Sequence, residues 1–260
     1  ETSKGAVATV AFTDEEPAPR AFFGSTAAAE TWEKTLNTVT IFVIDPSGDL
    51  LAKRSFSAAE LSAKKATFAL PNAVPGTVCE FYAVANLDMA QVNSSDVLTA
   101  MLEQDAASYN GTFADVSTKA KRTGGFVMSG SASKAVAAAG SSTDVAITLK
   151  RTVAKVAVQV TPSPQFGSLY QGAVRIDGIT LSNGATQTPV FPTKTDPGAF
   201  NFSTTQASDA ASGKYRNLFY LYESPARNVG SRVKATIDAT YDMDGDFSTA
   251  AGQSSMTYEV

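Results

Sequence analysis

Alternation with a period of two, rather than the 3.6-residue spacing of helices, dominates this chain. "TVTIFVI" puts Val39, Ile41 and Val43 on one strand face and Thr38, Thr40, Phe42 and Ile44 on the other. The "DPSGD" behind it suits a type I turn, with Asp45 first, Pro46 second and Gly48 fourth. "RVKATIDATYD" predicts a half-exposed antiparallel strand. Val233, Ala235, Ile237, Ala239 and Tyr241 would face inward, and Arg232, Lys234, Thr236, Asp238 and Thr240 would face water. In "VRIDGITLSNG" the phase shifts: Val174 and Ile176 share one parity, Ile179 and Leu181 the other. That shift predicts a β-bulge or tight bend at Asp177–Gly178. Further strands are expected in "GAVATVAF", "ATFAL", "VCEFYAVAN", "TDVAITL", "TVAKVAVQV", "NLFYLYES" and "MTYEV".

Helical signals are few. "SSDVLTAMLEQD" has Ser or Asp as an N-cap, with Val97, Leu98, Met101 and Leu102 at helical spacing. "TAAAETWEKTL" and "SAAELSAKK" predict two more short helices, and "SASKAVAAAGSST" reads as a loop. Many short strands with few helices argue for β-sandwiches. One sandwich of about 100 residues cannot hold them all, so two are expected. The boundary falls near residue 150, because "ITLKRTVAKVAVQV" is too long for one ordinary strand of about 5–6 residues. Its apolar Ala154, Val156, Val158 and Val160 oppose Arg151, Lys155 and Gln159. The expected domains are therefore 1–150 and 151–260, joined by a very short connection.

Composition narrows the chemistry. The chain is 43% hydrophobic and carries 18% charged residues, enough apolar content for real cores. A net charge of −4 leaves no electrostatic footprint for nucleic acid. No run of about 18 apolar residues exists to span a membrane. The chain begins at Glu1 rather than Met, so the expectation is a processed or trimmed form whose targeting segment is missing. There is no histidine, which removes the commonest general base, the commonest metal ligand and every Ser-His or Cys-His pair. The single cysteine, Cys79, shares a strand face with Phe81, Ala83 and Ala85 and reads as a small core residue. With no catalytic constellation, no enzyme, cofactor or metal site is expected.

Several motifs dissolve on inspection. "DMDGD" at 242–246 clusters three aspartates, but an EF-hand wants glycine at loop position six and glutamate at twelve. Here Gly245 stands fourth and Gln253 twelfth, and an acidic β-turn is the expectation. Ser131 and Lys134 match S-x-x-K without the accompanying S-D-N or K-T-G. In "FYLYES", Tyr220 and Tyr222 could line a carbohydrate platform, but a doubly buried core strand explains the same run. Trp32 is read as the anchor of a short helix. Asn93, Asn110 and Asn201 have the form of glycosylation sequons, which in a bacterial protein would normally mean nothing.

Four segments in order resemble the fimbrillins of Bacteroidales, the subunits of type V pili. They are "TVTIFVIDPSGDLL", "FYAVAN", "FVMSG" at 126–130 and "LKRTVAKVAVQV", with "FYLYES" resembling a segment of the second domain. The resemblance spans roughly residues 36–224. It implies a mainly β chain of two transthyretin-like, Greek-key β-sandwich domains in tandem with a few short helices. It implies a surface lipoprotein precursor of the outer membrane, touching the membrane only through an N-terminal lipid anchor absent here. In that family a trypsin-like protease cuts after an arginine, removes the first strand and enables polymerisation with other subunits by strand exchange.

Carried onto this chain, "GAVATVAF" would be the first strand, with Ala8, Val10 and Phe12 facing a groove of domain one. "TDEEPAPR" would be an extended loop, held so by Pro17 and Pro19, that presents Arg20–Ala21 for cutting, so that residues 1–20 are removable. The same stretch also suits a proline-rich tail with no processing role. Lys121–Arg122 and Arg227 are competing basic sites. The final "SSMTYEV" belongs to a donor segment, or to a trimmed terminus, or marks a tip or accessory subunit. The alternative function is a non-polymerising surface lipoprotein or pilus-tip adhesin that binds glycan or host protein.

Overall fold

A computed structural model describes residues 5–14, 23, 30–192, 199–223 and 232–260. The first half contains β1 (Ala6–Asp14), β2 (Val39–Ile44), β3 (Leu50–Ser55), β4 (Lys65–Leu70), β5 (Val78–Ala85), β6 (Leu102–Glu103), β7 (Met128–Ala135) and β8 (Ser142–Arg151). Three short helices lie between them: α1 (Ala58–Ala63), α2 (Ser95–Thr99) and α3 (Phe113–Thr118). The rest of the chain forms β9 (Val153–Val160), β10 (Ala173–Gly184), β11 (Thr188–Pro189), β12 (Phe202–Ala207), β13 (Asp209–Ala211), β14 (Lys214–Tyr222), β15 (Lys234–Asp242) and β16 (Gln253–Glu259). No helix among the described residues is long and apolar enough to cross a membrane.

The first half is one seven-stranded sheet in the order β3-β2-β5-β7-β8-β1-β4. Its middle joint is narrow, since β7 and β8 pair only at Met128–Arg151 and Ser129–Lys150. The arms on either side of that joint supply one core. Val39, Ile41, Val43, Cys79, Phe81 and Ala83 come from one arm, and Ala8, Val10, Phe68, Val145 and Ile147 from the other. Burial on both arms follows the alternation in the sequence, because successive side chains of a strand point to opposite faces. The opposite face of β2 is buried too: Phe42 and Ile44 pack with Val84, Met89, Leu98, Val190 and Phe191.

The second half has a four-stranded sheet, β12-β10-β15-β16, and a three-stranded sheet, β13-β14-β9. Ile179 and Leu181 meet Phe219 and Leu221 between them, with Val156, Val158, Val160, Ala235 and Ile237 packed alongside. β8 runs into β9 across the single residue Thr152, as the long apolar run predicts. The halves interlock. β11 pairs with β6, and Leu218, Tyr220 and Tyr222 on the outer face of β14 join the core of the first half.

Four expectations need correction. α2 stops at Thr99, and Leu102 leaves the helical path because Leu102–Glu103 pairs with Thr188–Pro189. Val97 and Leu102 are consequently exposed, and only Leu98 of that helix is buried. The Ser/Ala-rich stretch read as a loop is in part β7, recruited by full pairing with β5 from Val78–Ala135 to Ala85–Met128. Ser131 and Lys134 are therefore three apart on a strand and point to opposite faces, so they cannot act as a pair. On β15, Val233 lies just outside the strand and is exposed, whereas Thr240 is buried because its hydroxyl donates to Asp177. The bulge at Asp177–Gly178 is present as a register shift between Ile176 and Gly178.

Candidate functional site

β1 is the first described strand, yet it lies inside a sheet. It runs parallel to β8, from Val7–Ser142 to Asp14–Leu149, and antiparallel to β4, from Ala6–Leu70 to Ala11–Lys65. Ala6, Ala8, Val10 and Phe12 all point into the core, and Ala8 and Val10 are 0% exposed. The Phe12 ring lies 5.0 Å from that of Phe56, and Phe12 N–H donates to Lys64 C=O at 3.0 Å. The other face of β1 carries hydroxyls. Thr9 bonds Thr67 at 3.0 Å and Ser142 at 2.8 Å, and Thr13 bonds Thr148 at 3.1 Å. β1 thus fills a slot with an apolar floor, a polar roof and a backbone ladder on each side. Ala8, Val10 and Phe12, which the family resemblance put on the groove side, lie on this buried face. The sequence could not name β4 and β8 as the walls, because strand pairing over more than fifty residues has no local signature.

Arg20 and Ala21 lie outside the described residues. The neighbouring Phe23 is described and is held. Its ring stands 6.0 Å from that of Phe113, and the Arg216 guanidinium lies 5.9 Å from Phe23 and 5.2 Å from Phe113. Arg227 also lies outside the described residues. The other competing basic site is tied down: Arg122 donates to Asn86 C=O at 3.0 Å and Gly125 C=O at 2.9 Å and stacks 5.8 Å over Tyr109. Only 13% of that side chain is exposed, so it cannot enter a protease specificity pocket without unfolding locally. Lys121 is more open, beside Asp115 at 3.7 Å.

Behind the slot, a polar network joins the halves. Glu33 is buried in the short 3-10 turn Thr31–Lys34, where its carboxylate accepts from Glu30 N–H at 2.9 Å, completing a capping box. The same carboxylate meets Lys155 of β9 at 2.9 Å and the Tyr220 hydroxyl of β14. Burial pushes the Tyr220 phenol up, and the adjacent Glu33 charge pushes it further. A second hub is Glu103, which accepts from the hydroxyls of Tyr109 and Thr152 and lies 3.6 Å from Arg122. Burial raises its carboxyl, against the opposing pull of those hydroxyls and of Arg122. Side-chain amides close the free edge of β14. Asn110 bonds both N–H and C=O of Tyr220, at 2.9 and 2.8 Å, and Gln206 bonds both those of Leu218, at 2.9 and 3.0 Å. The sequence singles out Tyr220, Asn110 and Arg122 for other reasons and pairs none of them with these partners, which tertiary contact alone sets.

Tyr220 and Tyr222 face the first core while Phe219 and Leu221 face the second, the doubly buried arrangement. They form no open platform. Asp242, Asp244 and Asp246 bring carboxylate oxygens within 4.8 Å of one another. Asp242 is buried, and its two oxygens accept from the N–H groups of Asp244, Gly245 and Phe247 and from the Gln253 amide. Those bonds organise the turn between β15 and β16.

No protein-family model and no curated sequence matches the chain. Solved structures do. A candidate cell adhesion protein from Bacteroides eggerthii superposes with a TM-score of 0.65 at 17% identity, covering 99% of this chain and 80% of that one. The tip fimbrial protein Mfa3 from Porphyromonas gingivalis, with a C-terminal truncation, gives 0.56 at 17%, covering 88% and 77%. A fimbrial assembly protein from Parabacteroides distasonis gives 0.55 at 14%, covering 97% and 85%. The chain therefore has the fold of these Bacteroidales fimbrial and adhesion proteins.

Proposed function

We propose that this chain is a structural subunit of cell-surface fimbriae that assembles after proteolytic loss of β1. Its two halves, 1–150 and 151–260, are read as tandem transthyretin-like sandwiches. The observation that carries the reading is the position of β1: ahead of the Arg20 stretch, yet interior in a sheet between β8 and β4. A trypsin-like cut at Arg20–Ala21 would free residues 1–20, and with them Ala8, Val10 and Phe12. Burying Val10 and Phe12 is worth about 1.5–3 kcal/mol each. Each backbone bond to β4 or β8 adds about 1 kcal/mol. Once empty, the slot presents two unpaired strand edges over an apolar floor, which templates an incoming strand. The partners are other fimbrial subunits, and the location is the outer cell surface, reached through an N-terminal lipid anchor. The role is mechanical and adhesive, not enzymatic.

A second copy of the chain is one suitable donor. Gly252, Ser254, Met256 and Tyr258 repeat the small, small, aliphatic, aromatic order of Ala6, Ala8, Val10 and Phe12 at the same spacing. Ser255 falls where Thr9 places its hydroxyl. To donate, that segment must leave its pairing with β15. The adhesin alternative draws support from Leu169 and Tyr170, which are 74% and 58% exposed in the connection between β9 and β10.

Limited trypsin digestion of the native chain tests the proposal, with mass spectrometry to locate the first cut and native gels to follow assembly. The expected result is early cutting at Arg20, loss of residues 1–20, and oligomers that excess peptide of residues 5–14 suppresses. Resistance at Arg20 while other sites are cut first would overturn the processing. A trimmed chain that stays monomeric would favour the adhesin.

A further inference from the structure

We propose that Phe23 and Glu33 are two anchors that keep the chain just after the processing site fixed to the body. Their directional contacts are separate from the backbone ladders of β1, so β1 can leave without loosening the junction between the halves. The inference takes its biological role from the processing reading above, but its physical content stands on the fold alone.

The directional contacts are separate, although Phe23, Phe113 and Tyr220 share one apolar core with β1. β1 is held by the backbones of β4 and β8 and by the Phe56 ring. Phe23 is held by Phe113 at the start of α3 and by Arg216 on β14. Arg216 is itself oriented by Asp209, which accepts from its Nε at 3.0 Å, so the cation is aimed before the ring arrives. Phe23 has a φ of 55°, a left-handed conformation that a bulky side chain adopts only when its contacts hold it there. Glu33 binds Lys155 on β9 and Tyr220 on β14 while also capping its own turn. A carboxylate this enclosed is stable only with its partners in place. Both anchors thus make directional contacts with the second half, whereas the backbone ladders of β1 lie in the first. Trp32 and Leu36 pack against that same core, and the directional contacts of Phe23 and Glu33 come in addition to it.

The consequence concerns control of the slot. A cut ahead of Phe23 would release the outgoing strand and leave Phe23 held by Phe113 and Arg216. The new chain start would not trail into the open slot and compete with an incoming strand.

Hydrogen exchange followed by mass spectrometry tests this in the full chain, uncut and trypsin-cut. In the uncut chain, Phe23→Ala and Glu33→Gln should speed exchange at 31–36 by about tenfold and leave residues 6–14 unchanged. In the cut wild type, protection at 31–36 and along β9 and β14 should survive the loss of β1. Either cross-effect overturns the proposal: faster exchange of β1 in the anchor variants, or collapse of 31–36 protection when β1 is lost. If trypsin does not cut at Arg20, the processing reading fails. The uncut comparison still decides the anchors, and Phe23→Ala removes only a half-buried ring, so it leaves a folded chain to measure.

Discussion

The two halves close an open sheet edge in different ways. In the first, the edge of β8 is covered by a whole strand, β1, with apolar anchors below and threonine hydroxyls above. In the second, the edge of β14 near Leu218 and Tyr220 is covered by two amide side chains, Gln206 and Asn110. Both satisfy buried backbone groups. A covering strand, however, can be displaced by another strand of similar pattern. Two amides supplied by elements inside the fold cannot. The contrast explains how one half could become an assembly site while the other remains a closed body.

Substitutions can break that contrast. The largest effect is expected from Phe12→Ala, which empties a ring-paired core position and should cost about 3 kcal/mol in chemical denaturation. The loss should appear as faster exchange along β1 and easier release of residues 1–20, with β14 undisturbed. An equal loss of protection in β14 would mean that the halves are not closed independently. Next, Gln206→Leu leaves the N–H and C=O of Leu218 without partners and should cost about 2 kcal/mol, seen as exchange at β14 and not at β1. Thr9→Val sharpens the comparison with the smallest change. It removes two hydroxyl contacts on the solvent side of the slot and should cost no more than about 1 kcal/mol. If its cost matched that of Phe12→Ala, the polar roof rather than the apolar floor would hold the strand.

Much of the first half was legible from alternation, because strands with one or both faces buried must repeat every two residues. Cys79, Phe81, Ala83 and Ala85 follow the rule without exception, and all are 0% exposed. The bulge at Asp177–Gly178 was legible for the same reason, as a change of parity. β7 was hidden because Ser, Gly, Ala and Lys carry no strand signal of their own, and its pairing with β5 supplies one. α2 was over-extended because Met101 and Leu102 fit a helical face equally well, until β11 claims the Leu102 backbone. Thr240 was assigned to water because nothing local foretells its bond to Asp177 on the neighbouring strand.

By itself, the sequence determined that the fold is mainly β and that β9 follows β8 almost without a break. These follow from local periodicity and from the absence of long helical patterns. Only the tertiary structure decided that β1 lies between β8 and β4, that Phe23 and Glu33 hold onto the second half, and that Asn110 and Gln206 close β14. Each of those contacts joins residues far apart in the chain. Their free energy comes from desolvated partners meeting in space, which no local pattern of polar and apolar residues encodes.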